Sequence, residues 1–408
     1  MLSVEADAKR TLRYSDTLRH DFRLLQIEPE MIEELENGHV AFKGLPNDPG
    51  HHAEVVLCTS KSTYEVREVE TTNLVMLIDE PEGGRGADSQ TTPPAGSAPV
   101  VSVTALVKAH LELKLMNAKL DMLDKALKED HVIVDIVSAD GADRGSHQLP
   151  KGETWDVLRD RVQASDDEIA VALGDVDAVR VDGGWMGVSP ESFSSFVKLV
   201  LLTLTERGWQ LDRVPCREIA LALEEHGVCG QVTLQLLRKL HADGSKNVTT
   251  VEDEDRRDWR EMPTPPGPYA LNLPALCKHV AVGLLIERNV WDDAEEFLAS
   301  WKALLPESVV PTMDMLQGEC IELETEVLGE MGTKTTRRSI RRLSVGDLPR
   351  DVSRFEHLFN VKSAWELDEI LPYIRGLAAP GQNTEELLLK HARPSQTRPD
   401  DPVLYTKR

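Results

Sequence analysis

Residues 153–190, ETWDVLRDRVQASDDEIAVALGDVDAVRVDGGWMGVSP, carry the pattern that organises the carboxyl half of the chain. Apolar residues at helical spacing predict a short helix over 155–162. Ser165 and Glu168 have the spacing of a capping box, which predicts that a second helix begins there. Two extended segments separated by glycines at 183–184 follow, as in a hairpin. This order of helices and hairpin is that of a winged helix, and an unrelated small α+β unit is the alternative.

The composition favours a soluble protein. The 408 residues carry a formal net charge of −24 and only 5% aromatic residues, so most of the surface repels nucleic acid. No apolar run approaches membrane-spanning length, and the amino terminus lacks the apolar core of a signal peptide. The five cysteines are scattered and never paired at metal-binding or redox spacing. We expect a cytosolic or nuclear protein without membrane contact, metal or cofactor.

No motif of a catalytic site is present in the sequence. GxxxxGK[ST], HExxH and GxSxG are all absent, so the chain is not expected to hydrolyse ATP. His51 and His52 are neighbours in a predicted loop, where solvated side chains are more common than metal ligands. The acidic run at 252–255 lacks the spacing and the glycine of a calcium loop. We expect a protein that is not an enzyme.

The first 150 residues are predicted to form a β-rich domain. Strand patterns and one short helix at 29–35 follow one another, with strands predicted over 22–27, 39–44, 54–58, 63–69 and 74–78. The last of these is a continuous apolar run, typical of a strand buried on both faces. A small sheet with unpaired edges is often completed by another chain, and closure within this chain is the alternative.

Two further features complete this domain. Residues 79–99 are rich in Gly, Pro and Ser and predict a linker. Leucines and a methionine at three- and four-residue steps over 106–127 predict an amphipathic helix, with its lysines largely off the apolar face. Such a helix could meet phosphates, but a packed helix with a solvated face is more common.

The helix and hairpin theme recurs in the rest of the chain. The winged-helix units are predicted over 151–210, 211–305 and 306–408. Helices are predicted over 190–207, 215–225, 232–240, 274–287, 291–305, 312–316, 347–359, 363–377 and 384–391, with strands over 320–323 and 334–343. The polar segment 243–268 is interpreted as an enlarged loop of the second hairpin.

A basic strip interrupts the acidic carboxyl half. It consists of Lys334, Arg337, Arg338, Arg341 and Arg342. In a strand, Arg337 and Arg341 would share one face, with Arg338 and Arg342 on the other. Arginines bridge phosphate oxygens, and such contacts position a protein on nucleic acid without reading its sequence. A solvated strand or a nuclear-import patch is the alternative.

Several short motifs resemble the Dcc family (defective in sister chromatid cohesion) in their order and spacing. They extend over most of the chain: Leu24-Leu25-Gln26-Ile27, Glu36-Asn37-Gly38-His39, Thr63-Tyr64-Glu65-Val66, Thr71-Thr72-Asn73-Leu74, Gly208-Trp209, Asp347-Leu348-Pro349 and Val403-Leu404-Tyr405. The sequence departs from the better-known members in the linker at 79–99, the acidic run at 252–255 and the basic terminal tail. No role is assigned to those segments.

The resemblance implies a non-catalytic nuclear subunit of the alternative replication factor C clamp loader. Such a subunit loads the sliding clamp, which it meets indirectly, at replication forks and establishes sister chromatid cohesion. Its fold would be α+β, with an amino-terminal partial barrel completed by partner chains and three tandem winged helices. The implied partners are the carboxyl terminus of the loader's large subunit, a small third subunit, DNA polymerase epsilon, and single- and double-stranded DNA.

The predicted site residues follow from this interpretation. DNA contacts are predicted at Lys334, Arg337, Arg338, Arg341, Arg342, Arg350 and Arg354. Partner contacts are predicted at Leu24, Ile27, Val56, Tyr64, Val66, Leu74, Leu77 and Trp185, the last on the polymerase side.

Two other classes of function remain open at this stage. An acidic winged-helix scaffold or adaptor outside replication would use the same domains to contact proteins only. A sequence-specific transcription regulator would need a base-reading helix, for which Gln235 and Arg238 are the candidates.

Overall fold

The computed structural model describes residues 11–19, 22–44, 54–79, 100–129, 131–132, 151–242, 269–307, 309–328, 334–396, 398 and 401–408. The chain divides into two compact units, an amino-terminal unit of residues 1–116 and a carboxyl-terminal unit of residues 117–408. Both sheets and helices are present, so the mixed α and β character is confirmed. Residues 80–99 of the linker predicted over 79–99, and the acidic run at 252–255, lie outside the described residues. The finer domain boundaries remain predictions.

One open sheet forms the amino-terminal unit. Its strands are β1 (Thr11–Arg19), β2 (Leu24–Leu25), β3 (Ala41–Gly44), β4 (Val55–Cys58), β5 (Thr63–Asp79) and β6 (Val100–Met116). They pair in the order β1-β6-β5-β4-β3, and β2 also pairs with β6. Because β1 and β3 end this order, the sheet is not closed into a barrel within the described residues. The β-rich character of this region is confirmed, with an open sheet.

The predicted hairpin after residue 54 is confirmed as β4 and β5, joined at residues 59–62. The Thr59 side chain accepts the Ser62 backbone N–H at 3.1 Å, which closes the turn. Glu34, on α1 (Met31–Glu36), accepts both the hydroxyl and the backbone N–H of Ser60. These hydrogen bonds hold the pKa of the Glu34 carboxyl below its usual value. Helix α1 is thereby attached to the turn.

Residues 106–127 contain the largest departure from prediction. The expected amphipathic helix is wrong over its first half, which belongs to β6, and only α2 (Asp121–Glu129) is helical. Apolar residues occupy every odd position of β6 from 101 to 115, and Val101 and Val103 are buried. Pairing with β5 and burial of one face outweigh the helix propensity of the leucines.

The two helices and the hairpin predicted within 153–190 are confirmed, whereas their interpretation as a winged helix stays a prediction. They are α3 (Trp155–Arg161), α4 (Asp166–Asp175), β9 (Ala178–Val181) and β10 (Gly184–Val188), and two short strands, β7 (His131–Val132) and β8 (Glu153–Thr154), pair with β10. Ser165 accepts the Glu168 backbone N–H at 3.2 Å, and Glu168 accepts the Ser165 N–H at 2.9 Å, which completes the capping box. Asp182 and Gly183, at φ 49° and 83°, form the tight turn of the hairpin.

Four helices follow, and the largest apolar core of the chain's described residues lies among them. They are α5 (Pro190–Arg207), α6 (Cys216–Glu224), α7 (Gly230–Lys239) and α8 (Leu273–Glu287). Helices α5 and α8 pack so closely that a Cβ at Gly283 would collide with the Ser194 hydroxyl oxygen. Only glycine fits at this crossing. The residues on either side of the segment 243–268, which was interpreted as a hairpin loop, pair through an isolated bridge between His241 and Leu271.

A three-stranded sheet separates this core from a second one. Its elements are β11 (Val290–Trp291), α9 (Ala294–Ala303), β12 (Cys320–Leu328) and β13 (Lys334–Arg342), with the strand order β11-β13-β12. Ile340 belongs to the first core, whereas Ile321 belongs to the core of the carboxyl-terminal end. The sheet therefore contributes apolar side chains to both cores.

The carboxyl-terminal end contains a sheet that the sequence patterns missed. Its elements are α10 (Arg354–Val361), β14 (Ala364–Glu366), α11 (Leu367–Ile374), α12 (Thr384–His391), β15 (Ala392–Ser395) and β16 (Leu404–Lys407). The predicted helices over 347–359 and 363–377 are shorter than expected, because the residues before α10 form a loop and 364–366 pair with β16. Strands of three or four residues are too short to show a period.

Candidate nucleic-acid interface and partner surface

The predicted basic strip lies on β13, and its extended conformation is confirmed. The strand is the central one of its sheet: β12 pairs with it along its whole length, and β11 pairs with it at Ile340 and Arg341. Ile340 is fully buried, whereas Arg337 and Arg341 are exposed on the opposite face. Lys334 begins the strand.

Two arginines of the strip are engaged by carboxylates. The Arg338 guanidinium lies 3.3 Å from a carboxylate oxygen of Glu295 and 3.3 Å from one of Glu322. Arg342 pairs with Asp347 at 2.6 Å. Such half-exposed ion pairs contribute at most about 1 kcal/mol each and exchange readily with other anions.

Arg337 and Arg341 form no ion pair with any residue that the structure describes. They lie on one face of β13, four positions and therefore roughly 14 Å apart along the strand. Arg341 also lines a cleft of about 490 Å³ with Asn289, Val290 and Leu323. Among the four arginines of the strip, these two have the fewest competing contacts within the described residues.

Arg350 and Arg354, the predicted extension of the strip, have different environments. Arg350 donates two hydrogen bonds to Asp124. Arg354 is only 4% exposed, and its guanidinium donates to the backbone carbonyls of Leu348, Pro349 and Tyr373. Burial lowers its pKa. Arg354 therefore holds the loop before α10 in place and is not available to an external phosphate.

The predicted partner residues of the amino-terminal unit fall into three groups. Leu74 is 46% exposed, whereas Val56 is 2% exposed and belongs to the interior. The others are partly buried along β2, the residues that follow it, and β5: Leu24, Ile27, Tyr64, Val66 and Leu77. The strand predicted over 74–78 is present in β5, but the expectation that it is buried on both faces is wrong for this chain alone.

Further exposed apolar residues, beyond those predicted as partner contacts, lie on β5 and β1. In β5 they are Val75, Met76 and Ile78, between 38% and 43% exposed, and in β1 they are Leu12 and Tyr14, at 47% and 54%. We call Leu74, Val75, Met76 and Ile78 the β5 patch. Its signal was visible in the sequence as the apolar run of residues 74–78. Since neighbouring residues of a strand face opposite sides of the sheet, as Val75 and Met76 do, the patch places exposed apolar side chains on both faces of β5. Exposed apolar residues grouped in this way favour a site for another protein.

Trp185, the predicted polymerase contact, is part of β10 and partly buried. Its ring packs on the apolar cluster of α2, α3 and α4. The indole N–H is buried without a hydrogen-bond partner among the described residues. The structure thus gives Trp185 a packing role and leaves only part of its ring accessible.

The candidate base-reading helix α7 is occupied by contacts within the chain. The Gln235 side-chain oxygen accepts the Arg180 backbone N–H at 2.8 Å, and the Gln235 amide donates to the Arg180 carbonyl. The glutamine thereby imitates a neighbouring strand at the edge of β9. Gln235 is not free to read a base, which removes the main support for a sequence-specific regulator.

A polar junction lies where α7, α8 and the segment after α4 meet. Lys239 donates to the Val176 carbonyl at 2.7 Å, and Lys278 pairs with Glu319 at 2.8 Å. Burial raises the pKa of Asp177 to about 6, although Lys239 and Lys278 oppose the shift. Burial lowers the pKa of His279 to about 3, so this imidazole is neutral at physiological pH.

Two other kinds of site are not found in the parts of the chain that the structure describes. No group of three or more His, Cys, Asp or Glu side chains is arranged to hold a metal ion there. None of the helices there combines the length and the apolar character needed to cross a membrane.

Comparison with known proteins accounts for the short motifs of the sequence. The profile of the family described as sister chromatid cohesion protein Dcc1 matches residues 22–374. The chain belongs to this family. The matched residues include strands β2 to β6 of the open sheet, the basic strip and the largest apolar core.

Individual members of the Dcc1 family are similar over almost their whole length. The sister chromatid cohesion protein DCC1 of Danio rerio is 26% identical over 92% of this chain and 86% of its own. That of Homo sapiens is 25% identical with the same coverage. That of Saccharomyces cerevisiae is 22% identical over 91% of this chain and 93% of its own. These homologues support a role in sister chromatid cohesion.

Proposed function

We propose that this chain is a non-catalytic nuclear subunit of an alternative clamp loader. In this role it helps to load the sliding clamp at replication forks and so supports cohesion. Its partners would be the large loader subunit, a small third subunit and DNA polymerase epsilon. Membership of the Dcc1 family supports the link to cohesion, and the finer assignment rests on the surfaces described above.

The observation that carries the proposal is the β5 patch. Four large apolar side chains are 38–46% exposed on β5, in a sheet whose end strands β1 and β3 each have one edge without a partner strand among the described residues. Unpaired edge strands and exposed apolar residues together favour addition of strands from another chain. The proposed loader subunits would cover the patch and complete the partial barrel.

The proposed DNA contact lies in the carboxyl-terminal unit. There we interpret the recurring helices and hairpins as three tandem winged helices, with β12 and β13 as a hairpin of the third unit, residues 306–408. Arg337 and Arg341 project from that hairpin without an intramolecular ion pair among the described residues, which supports contact with the DNA backbone. The first winged unit, near Trp185, is the proposed side for the polymerase.

Co-purification tests the complex. The tagged full chain, isolated from nuclear extract, is expected to retain the loader subunits. Two variants are each expected to lose them: Leu74→Ser/Met76→Ser, and a chain from which residues 1–140 are deleted. Leu202→Ser is the matched control, because Leu202 is 51% exposed but lies on α5 of the other unit. Retention of the subunits by the double variant would contradict docking through the β5 patch.

Binding of a labelled 20-base-pair duplex tests the DNA contact. Replacement of Arg337 and Arg341 by alanine is expected to weaken binding and to reduce the salt slope by roughly one unit for each phosphate that the variant no longer neutralises. An unchanged affinity would instead favour the adaptor class, in which the same domains contact only proteins. Recovery of ubiquitin-ligase or trafficking components in the co-purification would also favour the adaptor class.

A further inference from the structure

An ion pair between Arg350 and Asp124 joins distant parts of the carboxyl-terminal unit. Arg350 donates from Nε to one oxygen of Asp124 at 2.6 Å and from a terminal nitrogen to the other at 2.8 Å. These residues are 226 positions apart. Near the same helix, the Asn117 amide donates to the Ala378 carbonyl at 2.9 Å. Hydrogen bonds therefore connect the first residues of this unit, 117–124, with residues 350–378.

The pair lies in a groove of about 590 Å³ between α2 and the loop before α10. Basic and acidic side chains share its walls: Lys125, Lys128, Arg350 and His357 with Asp121, Asp124 and Asp347. Asp347 is also the partner of Arg342, which lines the cleft beside Arg341. The ion pair between Arg342 and Asp347 thus lies between this groove and the Arg341 cleft, which belongs to the surface proposed to meet DNA.

The geometry at Arg350 is that of phosphate recognition. A planar guanidinium binds a carboxylate and a phosphate in the same bidentate manner, through two parallel N–H donors. Asp124 supplies those two acceptor oxygens from within the chain. Both side chains remain partly open to solvent, at 41% for Arg350 and 26% for Asp124, so an external anion can reach and replace the carboxylate.

We propose that Asp124 is an internal competitor for nucleic-acid phosphate, which occupies Arg350 and keeps this groove closed to polyanions. The proposal rests on the proposed DNA contact of Arg337 and Arg341. When a DNA backbone approaches along β13, its phosphates displace Asp124, and Arg350 joins the contact. Because Asp124 must first be displaced, the chain binds DNA more weakly than its arginines alone would allow.

A matched pair of variants tests the competition in the full chain. Asp121 and Asp124 both lie in the first turn of α2 and line the same groove, but only Asp124 binds Arg350. Asp121→Asn and Asp124→Asn therefore remove the same charge near the same helix end. Only the second releases the guanidinium.

The probe is a fluorescein-labelled 20-base-pair duplex, measured by anisotropy over a series of salt concentrations. Asp124→Asn is expected to bind about three- to tenfold more tightly at low salt, with a salt slope steeper by about one unit. Asp121→Asn is expected to change affinity less than twofold. Asp124→Asn/Arg350→Ala is expected to lose the whole gain.

The outcomes separate this inference from the proposed function. Equal effects of Asp121→Asn and Asp124→Asn, with wild-type binding that depends on Arg337 and Arg341, would overturn the competition alone. A gain that survives Arg350→Ala would also overturn it. Absence of DNA binding by the wild type and by Asp124→Asn would overturn both.

Discussion

Strand β5 and helix α8 carry similar apolar runs but lie in opposite environments. In β5, Leu74, Val75, Met76 and Ile78 are all at least 38% exposed. In α8, residues 280–285 are all buried, because α5 and α9 cover two sides of the helix. The difference shows that hydrophobicity predicts burial only where the chain supplies the covering elements. Where it does not, the same pattern indicates a partner surface.

The largest expected effect on stability concerns helix α8, which α5 and α9 cover. Trp301 on α9 is fully buried and donates its indole N–H to the Cys277 carbonyl of α8 at 2.9 Å. Trp301→Ala is expected to lower the free energy of unfolding by about 3–5 kcal/mol, since it leaves a cavity and an unpaired carbonyl. Urea unfolding measures this. Leu304→Ala, three residues on and 42% exposed, is the control, and equal losses would contradict the assignment of the core.

The second effect compares two arginines that the sequence assigned to one surface. Arg354→Ala is expected to cost about 2–4 kcal/mol of unfolding free energy, because three backbone carbonyls lose their donor. Arg341→Ala is expected to stay within about 0.5 kcal/mol, because that side chain is exposed. Thermal unfolding of both variants is the measurement. A larger loss for Arg341→Ala would reverse the roles assigned here.

The third effect is pH-dependent and concerns Asp177. Its pKa is raised to about 6 in the folded chain, so the charged carboxylate is disfavoured there and stability falls as pH rises from about 4 through 6. Asp177→Asn cannot ionise and is expected to be more stable than the wild type by about 2–3 kcal/mol at pH 7.5, with no difference near pH 4. Urea unfolding at both pH values measures this. A gain that is equal at both pH values would exclude titration of Asp177 as its cause.

The smallest expected effect on stability concerns the exposed β5 patch. Leu74→Ser/Met76→Ser is expected to change the unfolding free energy of the isolated chain by less than about 1 kcal/mol, because both side chains are already exposed. Thermal unfolding of the purified chain is the measurement. A loss as large as that of Trp301→Ala would mean that the β5 patch packs within the chain, and the docking proposal would fail.

Much of the local structure was predictable, because it depends on short-range patterns. The capping box at Ser165, the Asp182-Gly183 turn and helix α12 follow from neighbouring residues, and the structure contains them where predicted. The alternation of apolar residues along β6 was equally local, but a competing helical pattern concealed it. The extended conformation of the basic strip was also predictable, as was the opposition of its two faces.

The sequence by itself therefore determined the local elements and the family to which the chain belongs, because both are encoded in the order and spacing of residues. Only the tertiary structure decided which side chains are available. Arg354 and Arg341 look alike in the sequence, yet one is buried against backbone carbonyls and the other faces solvent. Likewise, the pairing of Asp124 with Arg350 and of Gln235 with Arg180 depends on residues far apart in the chain. Burial and pairing are properties of packing, which no local pattern contains.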